Sequence, residues 1–121
     1  MKNKILKIKK LKNKRKLVCL TAYSKPISKI LDTHCDIILV GDSLATAFYG
    51  MKNTKNISLE TMINHSISVK KSLKKSIMVF DMPYNTYRSI LEAKKNIKKI
   101  MKRVKCDAFK IESNGKNYKI I

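Results

Sequence analysis

Residues 76–81 read SIMVFD, in which a short apolar run passes directly into an aspartate. A second stretch of the same kind, DIILVGD at residues 36–42, also reaches an aspartate just after its last apolar residue. Runs this short and this apolar are typical of strands that are buried on both faces of a parallel sheet. The two segments therefore indicate an α/β fold.

Further strands are predicted on either side of this pair, at residues 17–22 (LVCLTA) and 107–111 (DAFKI). Segments with helical spacing separate the four runs and cover residues 25–33, 58–74 and 86–105. The alternation predicts a β-α-β-α-β-α-β order with parallel strands and both sheet faces covered.

Local signals refine the three helices. Pro26 suits the first turn of one helix, and Ser58 is a candidate N-cap for the next. The third helix has its apolar positions at Leu91, Ile97, Ile100, Met101 and Val104. Residues 41–57, after the second strand, are predicted to form a long loop, and loops at the carboxyl ends of parallel strands are where such folds place their chemistry.

Acidic residues are scarce, with 8 in the chain, and three of them follow predicted strands. Asp42, Asp81 and Glu112 stand at the ends of the second, third and fourth strands, so a parallel sheet brings them to one rim. Carboxylates gathered there repel one another unless a cation neutralises them, and oxygen ligands without Cys or His favour Mg²⁺. Spacing alone leaves open the alternative that each acid merely ends a strand or caps a loop.

The net charge of +20 suggests an anionic partner such as a nucleic acid or a membrane surface. All of the 28 basic residues except Arg15, Arg88 and Arg103 are lysines, however, whereas phosphate and base recognition relies on the guanidinium fork. Nucleic-acid binding is therefore disfavoured. Residues 1–16, the densest basic stretch, are predicted to be a solvated N-terminal helix or arm, with a membrane-surface or RNA-binding arm as the alternative.

The cysteines and histidines carry no metal-site or disulfide pattern. Cys19, Cys35 and Cys106 are widely spaced and odd in number, so we expect buried free thiols. His34 and His65 are isolated, and we expect each to be a surface or packing residue. No apolar run approaches the roughly 18 to 20 residues of a membrane span, and no secretory signal is present, which predicts a cytoplasmic protein.

Longer motifs resemble one family. They are LTAYSKPISKILD (residues 20–32), DIILVGDSLATAFYG (36–50), ISLETMINHSISVKK (57–71), VFDMPYNTY (79–87) and CDAFKIE (106–112). In this order and spacing they are similar to the ketopantoate hydroxymethyltransferases. The resemblance implies a (β/α)8 barrel and the transfer of a hydroxymethyl group from 5,10-methylenetetrahydrofolate to 3-methyl-2-oxobutanoate, giving 2-dehydropantoate. It also implies a homo-oligomer in the complete family member.

The resemblance assigns roles residue by residue. Asp42 of VGDS, Asp81 of FDMP and Glu112 of KIE would form the magnesium site, directly or through water. Ser43 and Lys110, with Asp42 and Asp81, would bind the 2-oxo acid substrate. A 2-oxo acid on Mg²⁺ has a polarised carbonyl, which acidifies the neighbouring C3 proton.

Two departures from the family pattern matter. Ala45 stands where the family usually has Gly after VGDSL, and residues 45–56 are less typical, which puts folate contacts there in doubt. A complete barrel needs about 250 residues, so residues 17–121 are expected to form the first half of one, truncated after the fourth strand. The family's general base is expected in the second half, and no catalytic base is assigned here. The alternatives are an inactive half-barrel and a basic nucleic-acid-binding module.

Overall fold

A computed structural model describes residues 2–113, 115 and 120 of the chain. Its four strands are β1 (Cys19–Thr21), β2 (Ile37–Val40), β3 (Ile77–Asp81) and β4 (Ala108–Lys110). They form a single sheet in the order β1-β2-β3-β4, and every neighbouring pair is parallel. The predicted α/β fold with four parallel strands is confirmed, and each strand boundary lies within two residues of its predicted position.

Helices supply the crossovers that parallel neighbours require. The crossover helices are α2 (Lys25–Leu31), α3 (Leu44–Ala47), α4 (Leu59–Lys70) and α5 (Ile90–Arg103), whereas α1 (Lys2–Lys9) precedes β1. Ser58 caps α4, as predicted, by accepting a hydrogen bond from the Thr61 N–H. Ser89 caps α5 in the same way through the Glu92 N–H, so α5 begins later than the predicted helix. None of the described helices is both long enough and apolar enough to cross a bilayer.

The prediction of a long loop at residues 41–57 was wrong. This segment contains α3 and a 3-10 turn at Thr54–Asn56. Leu44 and Ala45 are fully buried in α3. Backbone groups that are buried with such side chains need hydrogen-bond partners, and a short helix provides them.

The core lies between the sheet and the helices on its covered face. Ile38, Val40, Met78 and Phe80 of the central strands are fully buried, and they pack with side chains of α3, α4 and α5, including Leu44, Met62, Ile63 and Ile100. Each fully buried side chain of this size stabilises the fold by about 1.5–3 kcal/mol. The carboxylate of Asp32, just after α2, adds a polar brace by accepting hydrogen bonds from the N–H groups of Lys74, Lys75 and Ser76.

Strand β1 departs from the predicted pattern, because all three of its residues are exposed. Leu20 is 47% exposed, and in the part of the chain that the structure describes no element pairs with the outer edge of β1. Cys19 is therefore exposed rather than buried, whereas Cys35 and Cys106 are buried free thiols as predicted. Leu91, predicted to lie on the apolar face of α5, is 80% exposed.

Candidate functional site

The predicted site residues meet at the carboxyl ends of β2, β3 and β4. Asp81 is the last residue of β3 and lies beside Lys110, the last residue of β4, in the parallel register. Asp42 follows the end of the neighbouring β2, and its backbone N–H donates a hydrogen bond to Asp81 Oδ2 at 3.2 Å. The register of the sheet thus brings the side chains of Asp81 and Lys110 together and places the Asp42 backbone against them, from segments that are far apart in sequence.

Asp81 is the central residue of this cluster. Its side chain is only 2% exposed, and both carboxylate oxygens accept hydrogen bonds from Lys110 Nζ at 2.8 Å. Burial raises the pKa of Asp81, although the hydrogen bonds from Lys110 and the Asp42 N–H oppose that shift. The nearby charge of Asp42 also raises this pKa. A buried carboxylate in this position is stabilised by additional positive charge.

Lys110 connects the buried and exposed sides of the cluster. Its Nζ lies 3.1 Å from Glu112 Oε1, and its side chain is 39% exposed. Partial burial alone would lower the pKa of Lys110, but its hydrogen bonds to Asp81 and Glu112 raise it above its usual value. The ammonium group therefore stays charged at neutral pH and has one side open to solvent.

Ser43 is held beside the cluster by a residue that the sequence reasoning did not single out. The Tyr23 hydroxyl lies 2.7 Å from Ser43 Oγ. Gly41 leaves space for this arrangement, since a Cβ there would lie 3.1 Å from Ser43 Oγ and 3.8 Å from Asp81 Oδ2. Tyr23 lies in the quoted LTAYS motif, which is the signal that could have identified it.

His65 of α4 contacts the backbone of Tyr23. Its Nδ1 lies 2.7 Å from the Tyr23 carbonyl oxygen, and its Nε2 lies 2.9 Å from the Tyr49 hydroxyl. A carbonyl only accepts hydrogen bonds, so we assign the proton to Nδ1, which leaves Nε2 to accept from Tyr49. His65 also packs edge-on against Phe48 and Tyr49. It is a half-buried packing residue in this structure.

The donor set can be compared with the needs of a divalent cation. Within residues 2–113, 115 and 120, no group of three or more His, Cys, Asp or Glu side chains is arranged to hold a metal ion. The Asp42 N–H contacts the Asp81 carboxylate, and Glu112 shares the ammonium of Lys110 with Asp81. Mg²⁺ is often held by only one or two carboxylates, with water and substrate oxygens completing its shell. The charge and oxygen chemistry of Asp42 and Asp81 fit such an ion.

A cavity of about 410 Å³ opens beside Glu112, and its lining includes Tyr84, Tyr87 and Arg88. This volume is in the range of small-molecule sites. Burial is the main cause that raises the pKa of Tyr87 in its wall. The cluster therefore borders a space with both aromatic and charged walls.

Comparison with known proteins gives consistent results. The family model described as "Ketopantoate hydroxymethyltransferase" matches residues 2–121. The 3-methyl-2-oxobutanoate hydroxymethyltransferase of Pelagibacter ubique is 53% identical over 121 residues, which is 100% of this chain and 47% of that protein. The proteins of that name from Anaplasma marginale (strain Florida) and Agrobacterium fabrum are 44% and 40% identical over 89% and 87% of this chain. The chain spans less than half the length of these relatives, with 39% of the second and 38% of the third covered.

Proposed function

Because the chain belongs to the ketopantoate hydroxymethyltransferase family, we propose that it supplies the metal and 2-oxo acid side of that enzyme's site. The reaction proposed is transfer of a hydroxymethyl group from 5,10-methylenetetrahydrofolate to 3-methyl-2-oxobutanoate, giving 2-dehydropantoate. The observation that carries the proposal is the buried carboxylate of Asp81, which Lys110 neutralises only in part and which has Asp42 beside it.

Asp42 and Asp81 are the residues proposed to hold Mg²⁺, with Glu112 contributing through water. The fit rests on their oxygen chemistry and on the raised pKa of Asp81, which falls when positive charge is added nearby. A bound Mg²⁺ would polarise the keto oxygen of the substrate. The part proposed for the protein here is to hold the two carboxyl groups at adjacent strand ends.

Substrate positioning is proposed for Lys110 and Ser43. The partly exposed ammonium of Lys110 attracts the carboxylate of a 2-oxo acid. Ser43 Oγ is oriented by Tyr23 and offers a hydroxyl to a substrate oxygen. We assign no proton-abstracting base within the described residues, since both ring nitrogens of His65 already have partners.

Binding of 3-methyl-2-oxobutanoate, measured by isothermal titration calorimetry with and without Mg²⁺, tests this proposal. We expect binding that depends on Mg²⁺ and weakens at least about tenfold in Asp42→Asn, which removes one charged ligand. Among the described residues the Asp42 carboxylate makes no ion pair, so the fold should tolerate the change. Glu60→Gln removes the same charge from an ion pair with Lys99 and Arg103 on the helical side and should leave binding unchanged.

An inactive half-barrel is the second candidate, because β1 is exposed and its outer edge pairs with none of the described elements. Formation of 2-dehydropantoate from both substrates distinguishes the two. Product at a rate that depends on Mg²⁺ supports catalysis, whereas binding without product supports a half that lacks its base. The site assignment would be contradicted if substrate binding did not depend on Mg²⁺. It would also be contradicted if Asp42→Asn and Glu60→Gln weakened binding equally.

A further inference from the structure

A second cavity lies at the opposite end of the sheet, away from the candidate site. It measures about 650 Å³ and lies between α1 with its following turn and the segments that lead into β2 and β3. Two contacts hold α1 and its following turn in place. Lys4 Nζ donates a hydrogen bond to the Ser76 carbonyl oxygen at 3.0 Å, and the guanidinium of Arg15 donates to both carboxylate oxygens of Asp36 at 2.8 and 2.5 Å.

The two acids in this cavity are already satisfied. Asp36 is bonded by Arg15 and by the Val18 N–H, and these contacts lower its pKa to about 2. Burial alone would raise the pKa of Asp32, but hydrogen bonds from the backbone of residues 74–76 lower it instead. Neither carboxylate needs another cation.

Unlike the two acids, several lysines on the walls of this cavity lack an ion-pair partner among the described residues. Lys7 and Lys10 of the α1 segment line the cavity from one side, and Lys75 lines it from the other. All three are exposed, and within the described residues none of them forms an ion pair. The cavity therefore carries uncompensated positive charge on two facing walls.

We propose that this cavity is a binding site for a small molecule that carries phosphate groups. Facing lysines supply ammonium donors to the oxygens of a multiply charged anion. The volume is that of a small-molecule site. A nucleic-acid strand is a poorer fit, because the lining contains no Phe, Tyr or Trp on which bases could stack.

Equilibrium dialysis with inorganic pyrophosphate at low ionic strength tests the proposal. Lys7→Gln/Lys75→Gln removes one charge from each wall, and Lys94→Gln/Lys98→Gln removes two exposed charges from α5 as a matched control. We expect one pyrophosphate per chain, with a Kd that rises about tenfold in the cavity variant and less than about twofold in the control. Circular dichroism of both variants should match the wild type.

Three results would overturn the proposal. Absence of saturable pyrophosphate binding would remove the site. Equal weakening in the two variants would show that only net charge matters. A single-stranded oligoribonucleotide that bound more tightly than pyrophosphate, with the same sensitivity to the cavity variant, would replace the small ligand by a nucleic acid.

Discussion

Asp81→Asn separates the chemical role of the candidate site from its structural role. Breaking a buried ion pair usually costs about 3–5 kcal/mol, because the remaining partner is left as an uncompensated buried charge. Lys110 is not left in that state, since its side chain is 39% exposed and Glu112 lies 3.1 Å away. The asparagine oxygen can still accept the hydrogen bond from the Asp42 N–H. We therefore expect the free energy of unfolding at pH 7 to stay within about 1 kcal/mol of the wild type.

The pH dependence of stability gives a second test of the same variant. Burial raises the pKa of Asp81 above its unfolded value, so the folded state binds the proton more tightly than the unfolded state. Ionised Asp81 therefore costs stability at neutral pH. The wild type recovers that stability as the pH falls through the folded pKa toward the unfolded pKa of about 4. Asp81→Asn lacks this gain, so its stability relative to the wild type should be highest at neutral pH.

Function should respond much more strongly than stability. Urea unfolding followed by circular dichroism at neutral and acidic pH gives the stability, and calorimetric titration gives Mg²⁺ affinity, which we expect to fall at least about tenfold. Asp107→Asn is a matched control, because Asp107 is a buried acid paired with Lys70 just before β4. It should leave Mg²⁺ affinity unchanged. A loss above about 3 kcal/mol in Asp81→Asn, or retained Mg²⁺ affinity, would refute the reasoning.

Three further predictions concern other parts of the fold. Asp32→Asn should lower the free energy of unfolding by about 2–4 kcal/mol in urea titrations, because an amide cannot accept all the hydrogen bonds from residues 74–76. Because the pKa of Asp32 is lowered in the folded state, its contribution to the free energy of unfolding should be lost as the pH falls through that pKa. A difference between wild type and Asp32→Asn that does not change with pH would contradict this. Gly41→Ala should weaken 2-oxo acid binding more than it affects stability, since its Cβ crowds Ser43 Oγ, and calorimetry would detect the loss. The wild-type chain should self-associate in sedimentation through the open edge of β1, and Leu20→Lys should favour the monomer.

The sheet was predictable because its signals are local. Short apolar runs such as SIMVF mark the strands, and parallel register then places Asp81 beside Lys110 without further information. The contact of Tyr23 with Ser43 was not predictable, because it depends on how the loop after β1 folds over the end of β2. The exposure of Leu91 and of β1 also escaped prediction. An apolar pattern shows which residues favour burial, but it does not show whether another segment is present to cover them.

The strand order has a consequence for synthesis on the ribosome. Because β1, β2, β3 and β4 are neighbours in the same order as they occur in the chain, each strand finds its partner already made when it emerges. Pairing can therefore proceed from the N-terminus in chain order, but each step closes a long crossover, such as the one between Ile37 and its partner Ile77, and such closures slow folding. The Ser76 N–H donates a hydrogen bond to Asp32, 44 positions earlier in the chain, so the Asp32 carboxylate gains this partner only after α4 has been translated.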